Sequence, residues 1–371
     1  MLEFAFSPAE YQRRRAATLA LAAECGADRV LAFGENRSGV GVTYLTGWPV
    51  TRSAAYLVDP ADSRLWVAFH NHLPAARRTA VGCEVRDVDA GTPAALLDGA
   101  GAAVATLGPV PPAVRALATE TGTRLVPIDA AHAVLRQVKS AEEVEAVAAG
   151  ARASDIGAQA LVDACRPGAT DWDLVAAARS AYTRAGARDH ICYVCVTDMH
   201  APDRDVPAQV PEGRVLRPGS VVTFELSAAV AAEYPGQVLR TVTLGPPTDQ
   251  YADLHRVAAQ VRDAVRAQVR AGASAAALVD ASGGIEAAGY ATTDDLFHGL
   301  GMGYLEPIGT SASRIPGHRP EQPLRAGMTI VVQPNVTTVD HRAGVQTGEL
   351  VVVTDAGLRD VHDLPGGLLV V

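Results

Sequence analysis

One stretch restricts this chain more than any other: Phe297-His298-Gly299-Leu300-Gly301-Met302-Gly303-Tyr304-Leu305-Glu306-Pro307. A histidine heads a run with glycine at every second position, and Glu306 follows further along. Residues without a Cβ let backbone come close to whatever the histidine faces. Two other segments end in a similar way. Gly219-Ser220-Val221-Val222-Thr223-Phe224-Glu225 reads as a turn feeding a buried strand that ends on a carboxylate, and Gln237-Val238-Leu239-Arg240-Thr241 follows it. Gly327-Met328-Thr329-Ile330-Val331-Val332-Gln333-Pro334 repeats the pattern with an amide. Three strands that each bring a polar group beside one histidine describe a pocket. A core histidine satisfied by its neighbours is the plainer reading of His298.

The rest of the chain sorts into two parts. At 371 residues a single core would be unusually large, so two domains are expected. Residues 8–25 carry apolar side chains at helical spacing beneath Arg13-Arg14-Arg15, which reads as the solvated basic face of an amphipathic helix. Strand-like segments at 29–33, 54–58, 64–69 and 103–107 alternate with alanine-rich helical stretches and predict a small α/β domain. The join falls near residues 130–138. Beyond it, Ser140 with Glu143 forms a capping box that opens a long helix, which Arg166-Pro167-Gly168 stops. Thr170 caps a second helix, with Trp172 and Leu174 on its apolar side. Residues 191–196 predict a strand. Its Cys192 and Cys195 read as ordinary strand cysteines, because no helix amino terminus is there to activate a thiol. Helices are expected over 251–273 and 275–288, and 344–354 reads as the last core strand. The domains drawn from this pattern are 1–134 and 135–371, in a mixed α/β fold.

Charge and composition exclude several classes. A net charge of −9 argues against nucleic acid and anionic membrane as partners. No window approaches the roughly 18 uninterrupted apolar residues of a membrane span. The start of the chain has neither a basic region nor a cleavable apolar core, so no signal peptide is expected. Five cysteines in so long a chain do not make a disulfide framework, and a cytoplasmic location is expected.

Over almost its whole length the chain resembles the pita-bread hydrolases: creatinase, prolidase, aminopeptidase P and methionine aminopeptidase. The resemblance is carried by the His298 run, the Arg240-Thr241 pair, the Arg166-Pro167-Gly168 turn and Tyr44-Leu45-Thr46-Gly47-Trp48. It implies a small creatinase-like α/β domain followed by a pita-bread catalytic-type domain. Metallopeptidases of this superfamily bind two metal ions with two aspartates, a histidine and two glutamates. The resemblance puts those positions at Glu225, Gln237, His298, Gln333 and Gly348, and the assisting histidines at Leu305 and Ala208. Two divalent ions need several carboxylates to balance about four positive charges. Two amides and a glycine do not supply them, so neither metal nor any other cofactor is expected. In creatinase the loop after the tyrosine motif presents an arginine to the partner subunit's site. The matching residue is Arg52, and a homodimer is implied.

His298 and Glu225 are the candidate catalytic residues, since an unperturbed histidine with a pKa of about 6.5 suits acid–base work near neutral pH. Gln237, Arg240, Gln333, Glu306, Arg52 and His200 are candidates for binding a small-molecule substrate. The uncharged amides are expected to leave the histidine's pKa little changed. Glu349, one position past the lost ligand, is expected to hydrogen-bond behind the site. The expected function is a metal-independent, creatinase-like hydrolase or lyase acting on a carbon–nitrogen bond of a small polar metabolite. Creatine itself is disfavoured, because Leu239 stands where creatinase has a substrate-binding glutamate. Two alternatives stay open. One is a non-catalytic relative that binds a peptide or metabolite. The other is an atypical Xaa-Pro metallopeptidase with a single metal on Glu225 and His298.

Overall fold

The structure is a computed structural model, and it describes residues 2–60, 62–230, 233–312 and 314–371. The chain forms two compact units: Ala5–Arg136, and Gln137–Val371 together with the start of the chain.

The smaller unit begins with α1 (Pro8–Glu24), where the Ser7 hydroxyl accepts the Glu10 N–H as an amino-terminal cap. It continues through β1 (Val30–Gly34), α2 (Val40–Thr46), β2 (Ala54–Val58), β3 (Arg64–Val67), α3 (Leu73–Thr79) and β4 (Glu84–Asp87). The unit closes with α4 (Thr92–Leu97), β5 (Ala103–Leu107), α5 (Pro112–Thr121), β6 (Arg124–Pro127) and α6 (Asp129–Leu135). The strands make one sheet in the order β4-β3-β2-β1-β5-β6. Every residue of β1, β2 and β5 is buried, as in central strands covered on both faces, which is why they read as unbroken apolar runs. The tyrosine motif forms the last turn of α2. Gly47 ends it at φ 80°, and a Cβ there would lie 2.5 Å from the Tyr11 hydroxyl oxygen.

The basic cluster on α1 departs from the expected solvated face, because Arg14 is fully buried. Its guanidinium lies 4.0 Å from the centre of the Phe6 ring and 4.6 Å from that of Tyr44. It donates to Glu10 Oε1 at 2.8 Å and to the Tyr44 carbonyl at 3.1 Å. Aromatic faces and a carboxylate replace the water that a planar cation gives up. Helical spacing places Arg14 on a face, but does not show that the face meets aromatic rings.

The larger unit opens with α7 (Ala141–Ala164) and α8 (Asp171–Arg184), followed by β7 (Arg188–Asp198), β8 (Ser220–Ala229) and β9 (Pro235–Thr243). Capping boxes at Ser140/Glu143 and Thr170/Asp173 start the two helices. A second helical set, α9 (Asp249–Arg266), α10 (Ala275–Ala281) and α11 (Gly284–Ala287), precedes β10 (Phe297–Gly301), β11 (Gly303–Gly309) and β12 (Thr329–Val332). Then come β13 (Asn335–Thr337), β14 (Gly344–Gln346), β15 (Gly348–Val353), β16 (Leu358–Asp360) and β17 (Leu369–Val370). The main sheet runs β11-β10-β12-β15-β9-β8-β7 with antiparallel neighbours, and β16 and β17 add to β15 and β9. Two helix-then-strand halves thus meet where β9 pairs with β15.

Three local expectations need correcting. The helix expected over 251–273 is α9, ending at Arg266, and the one over 275–288 is broken into α10 and α11 at Ser282-Gly283. The last core strand is interrupted at Thr347. Trp172 is 52% exposed, whereas Leu174 is buried. Residues two apart on a helix do not share a face. All five cysteines are free, and burial pushes the Cys192 and Cys195 thiols up to about 12, so neither is reactive. Among the described residues no helix is long and apolar enough to cross a membrane.

Strand alternation positions the site. Val222, Phe224 and Leu226 of β8 and Val238 and Val242 of β9 share a core with Leu161 of α7 and Leu174 of α8. Phe297 of β10, Ile330 and Val332 of β12, and Val351 and Val353 of β15 share another with Leu254 of α9 and Leu278 of α10. Side chains one residue along each strand point the other way. Glu225, Gln237, His298 and Gln333 therefore share the face turned away from the helices.

Candidate functional site

A cavity of about 440 Å3 opens on that face, and Glu225, Gln237, His298 and Gln333 all line it. The Gln237 amide donates to Glu225 Oε1 at 2.8 Å and to Gln333 Oε1 at 2.8 Å, tying β8, β9 and the end of β12 together. The Gln333 amide in turn donates to the Asp295 carbonyl at 3.3 Å and to Asp294 Oδ2 at 3.5 Å. Asn335 Nδ2 donates to the same Asp294 oxygen at 3.0 Å.

Burial governs the charges here. It raises the Glu225 pKa to about 8, with the nearby Asp294 adding to the shift. Asp294 is itself raised, first by burial. His298 moves the opposite way: burial pulls it down to about 4, against the weaker pull of the Gly299 carbonyl, Asp295 and Gln333. The expectation that its pKa would stay near the ordinary value fails for that reason. A buried imidazole resists charge even where the groups around it are neutral. His298 Nδ1 lies 3.0 Å from the Gly299 carbonyl, and a carbonyl only accepts, so Nδ1 carries the proton. Nε2 keeps its lone pair, buried and without a hydrogen bond. The Tyr304 ring stacks on the imidazole with centroids 3.8 Å apart, and its hydroxyl donates to Asp295 Oδ2 at 2.6 Å.

Other candidates lie elsewhere. Arg240 is three residues from Gln237 on β9 and so faces the helices, where it pairs with Glu349 at 2.8 Å and donates to the Gly348 carbonyl at 2.7 Å. Glu349 is also held by Arg266 at 2.9 Å, behind the site as its offset implied. Glu306 is exposed beside a register shift between His298 and Gly299, and its carboxylate accepts the Ile308 N–H at 2.8 Å. His200 is exposed, and neither it nor Glu306 lines the cavity. Arg52 belongs to the smaller unit, where its guanidinium lies 5.2 Å from the Phe69 ring. Sequence reasoning did not select Asp294, Tyr304 or Gln346, all of which line the cavity. The adjacent acids Asp294-Asp295 just before β10 were the available signal.

The donor set was tested against a pair of metal ions. Of the five positions, only Glu225 and His298 offer conventional ligand atoms. Gln237 spends its amide hydrogens on Glu225 and Gln333. Gly348 offers nothing and has no room to do so, since a Cβ there would lie 2.1 Å from the Val332 carbonyl oxygen and 2.8 Å from Gln333 Cα. Among the described residues, no group of three or more His, Cys, Asp or Glu side chains could hold a metal ion. These residues do not fit a dinuclear centre.

The sequence model of metallopeptidase family M24 matches residues 145–355, more than half of the chain and the whole of the strand set around the cavity. The chain belongs to metallopeptidase family M24. Its relatives in that family include a probable dipeptidase PepE of Mycobacterium tuberculosis, 26% identical over 379 residues that cover 99% of this chain and 98% of the relative. An uncharacterized peptidase, YqhT of Bacillus subtilis, is 25% identical over 253 residues, covering 66% of this chain and 68% of its own. The solved dipeptidase PepE from Mycobacterium ulcerans superposes with a TM-score of 0.80 at 26% identity, covering 99% of each chain. An Xaa-Pro dipeptidase from Bacillus anthracis, at 17% identity and a TM-score of 0.81, covers 97% of this chain and 100% of its own and shares the fold. The expected superfamily and its pita-bread fold therefore hold. The expected reaction does not. Membership of M24, with relatives called dipeptidases, overturns a creatinase-like, metal-independent cleavage of a small polar metabolite. Family M24 is a family of hydrolases, and that much of the enzymatic reading stands.

Proposed function

We propose that this chain is a peptidase for short peptides, with the Glu225–His298 cavity as its substrate site. The observation that carries the reading is the convergence of Glu225, Gln237, His298 and Gln333 on one cavity of an M24 chain. The substrate class is supported by the full-length relatives called dipeptidases, and a cavity of about 440 Å3 suits a ligand of that size. Glu225, with a pKa near 8, holds its proton at neutral pH and can hand it to the amine that departs when a peptide bond breaks. His298 stays neutral, and its open Nε2 accepts a hydrogen bond from the attacking water or from the substrate. Gln237 and Gln333 fix the Glu225 carboxyl, while Arg240 braces β9 against β15 from behind.

The test is release of free amino acids from a panel of dipeptides and tripeptides. Cleavage is expected, and Glu225→Gln and His298→Ala should each lower turnover by about 10² to 10⁴. Failure to cleave any peptide of the panel, with manganese, cobalt and zinc each supplied as well as without them, overturns the reading.

A homodimer acting in the cytoplasm belongs to the same proposal. Its support is the resemblance of the loop carrying Arg52 to the one that creatinase presents to its partner, together with five free cysteines that suit a reducing compartment. Light scattering that gives a monomer at micromolar concentration removes the dimer.

A further inference from the structure

The polar atoms left open at the cavity are hydrogen-bond acceptors. His298 is fully buried, its Nδ1 proton is committed to the Gly299 carbonyl, and its Nε2 lone pair has no partner. Gln346, 1% exposed on β14, presents an unpartnered Oε1 to the same cavity. The Glu225 and Asp294 carboxyls complete the lining, and no lysine or arginine is part of it among the described residues. The nearest guanidinium, Arg314, is paired with Asp295 and stays 3.9 Å from Asp294 Oδ1. Buried acceptors without donors cost free energy until a ligand supplies the hydrogens.

Charge decides what kind of donor fits. Two carboxyls fall short of balancing a pair of divalent ions, and Gly348 leaves no room for a third. They suffice for one monovalent cation. A cation that also carries several N–H bonds satisfies Nε2 and Oε1 in the same step.

We propose that the cavity holds its ligand by a primary ammonium group, the free amino end of a short peptide, which takes the place the family gives to metal ions. His298 Nε2 and Gln346 Oε1 accept its hydrogens, and Glu225 and Asp294 face its charge. The inference rests on the short-peptide reading for the rest of the ligand, and not for the ammonium group itself.

Calorimetric titration of the full chain separates the two. The probes are alanyl-alaninamide, its N-acetyl derivative, n-propylamine and manganese chloride alone. The free dipeptide amide should bind at least about tenfold more tightly than the acetylated one, the loss expected when a charge-assisted hydrogen bond is removed. Asp294→Asn should erase that preference while leaving the acetylated probe unchanged, and manganese should show no saturable binding. The wild-type comparison stands even if the variant fails to fold. Equal binding of the two dipeptide probes, binding of neither, or saturable manganese binding overturns the inference. Saturable binding of propylamine without binding of any peptide keeps the ammonium site and removes the peptide reading. Cleavage of the acetylated peptide at the rate of the free one does the reverse.

Discussion

Glu225 is a carboxyl held where water cannot stabilise its charge, and that has a consequence for the whole protein's stability. Its pKa of about 8 in the fold lies above the ordinary 4.5, so the folded chain keeps a proton that the unfolded chain releases. The associated stability is complete below pH 4.5 and is lost as pH rises through 8, by up to about 1.4 kcal/mol for each pH unit in that window. Glu225→Gln keeps the shape and removes the titration. Melting temperatures should therefore favour the variant increasingly from pH 5 to pH 8, and a constant difference would mean that the carboxyl is not dry. His298 acts in the other direction. Its folded pKa of about 4 lies below 6.5, so its contribution is full above 6.5 and is lost as pH falls toward 4. Because the ring is enclosed and stacked on Tyr304, His298→Ala should also cost about 1 to 3 kcal/mol in denaturant titrations at neutral pH. The neighbouring glycines suggested few contacts to lose. They allow the backbone of β11 to close over the ring instead: a Cβ on Gly299 would lie 2.7 Å from the carbonyl oxygens of Leu305 and Glu306. Which groups surround the histidine was legible in the sequence, but how completely they exclude water was not.

Among the elements, the junction of β12 and β15 is the most closely fitted around the site. Gly348 sits where any side chain meets the Val332 carbonyl, and Arg240 clamps its own carbonyl from the far face. Gly348→Ala should destabilise the chain by about 1 to 3 kcal/mol, the usual cost of forcing atoms into a filled space. A melting temperature unchanged from wild type would mean that the two strands separate freely. The capping boxes at Ser140 and Thr170 were legible because a cap is a local contact between residues three apart. The burial of Arg14 was not, since it depends on Phe6 and on Tyr44 of α2 arriving from elsewhere in the unit. Arg240 was misplaced for a simpler reason. It stands beside Thr241 in a motif shared with the superfamily, yet the two-residue period of a strand sends it to the helix side.

At the scale of the molecule, superfamily and fold were legible because the glycine-spaced histidine run and the polar residues that end the strands survive as a linear pattern. The reaction was not, because changes at the ligand positions were read as a change of chemistry, whereas the chain's family and relatives remain those of peptidases. Residues such as Asp294 and Gln346 escaped notice, since only the folded sheet brings them beside His298. The alternation along β8, β9, β10 and β12 has a practical sequel. One set of positions holds the two cores together, and the intervening set meets whatever enters the cavity. The sheet is thus a socket with exchangeable pins. Codon libraries confined to 193, 237, 333 and 346 can search for new ligand selectivity while the hydrophobic scaffold beneath is inherited unchanged.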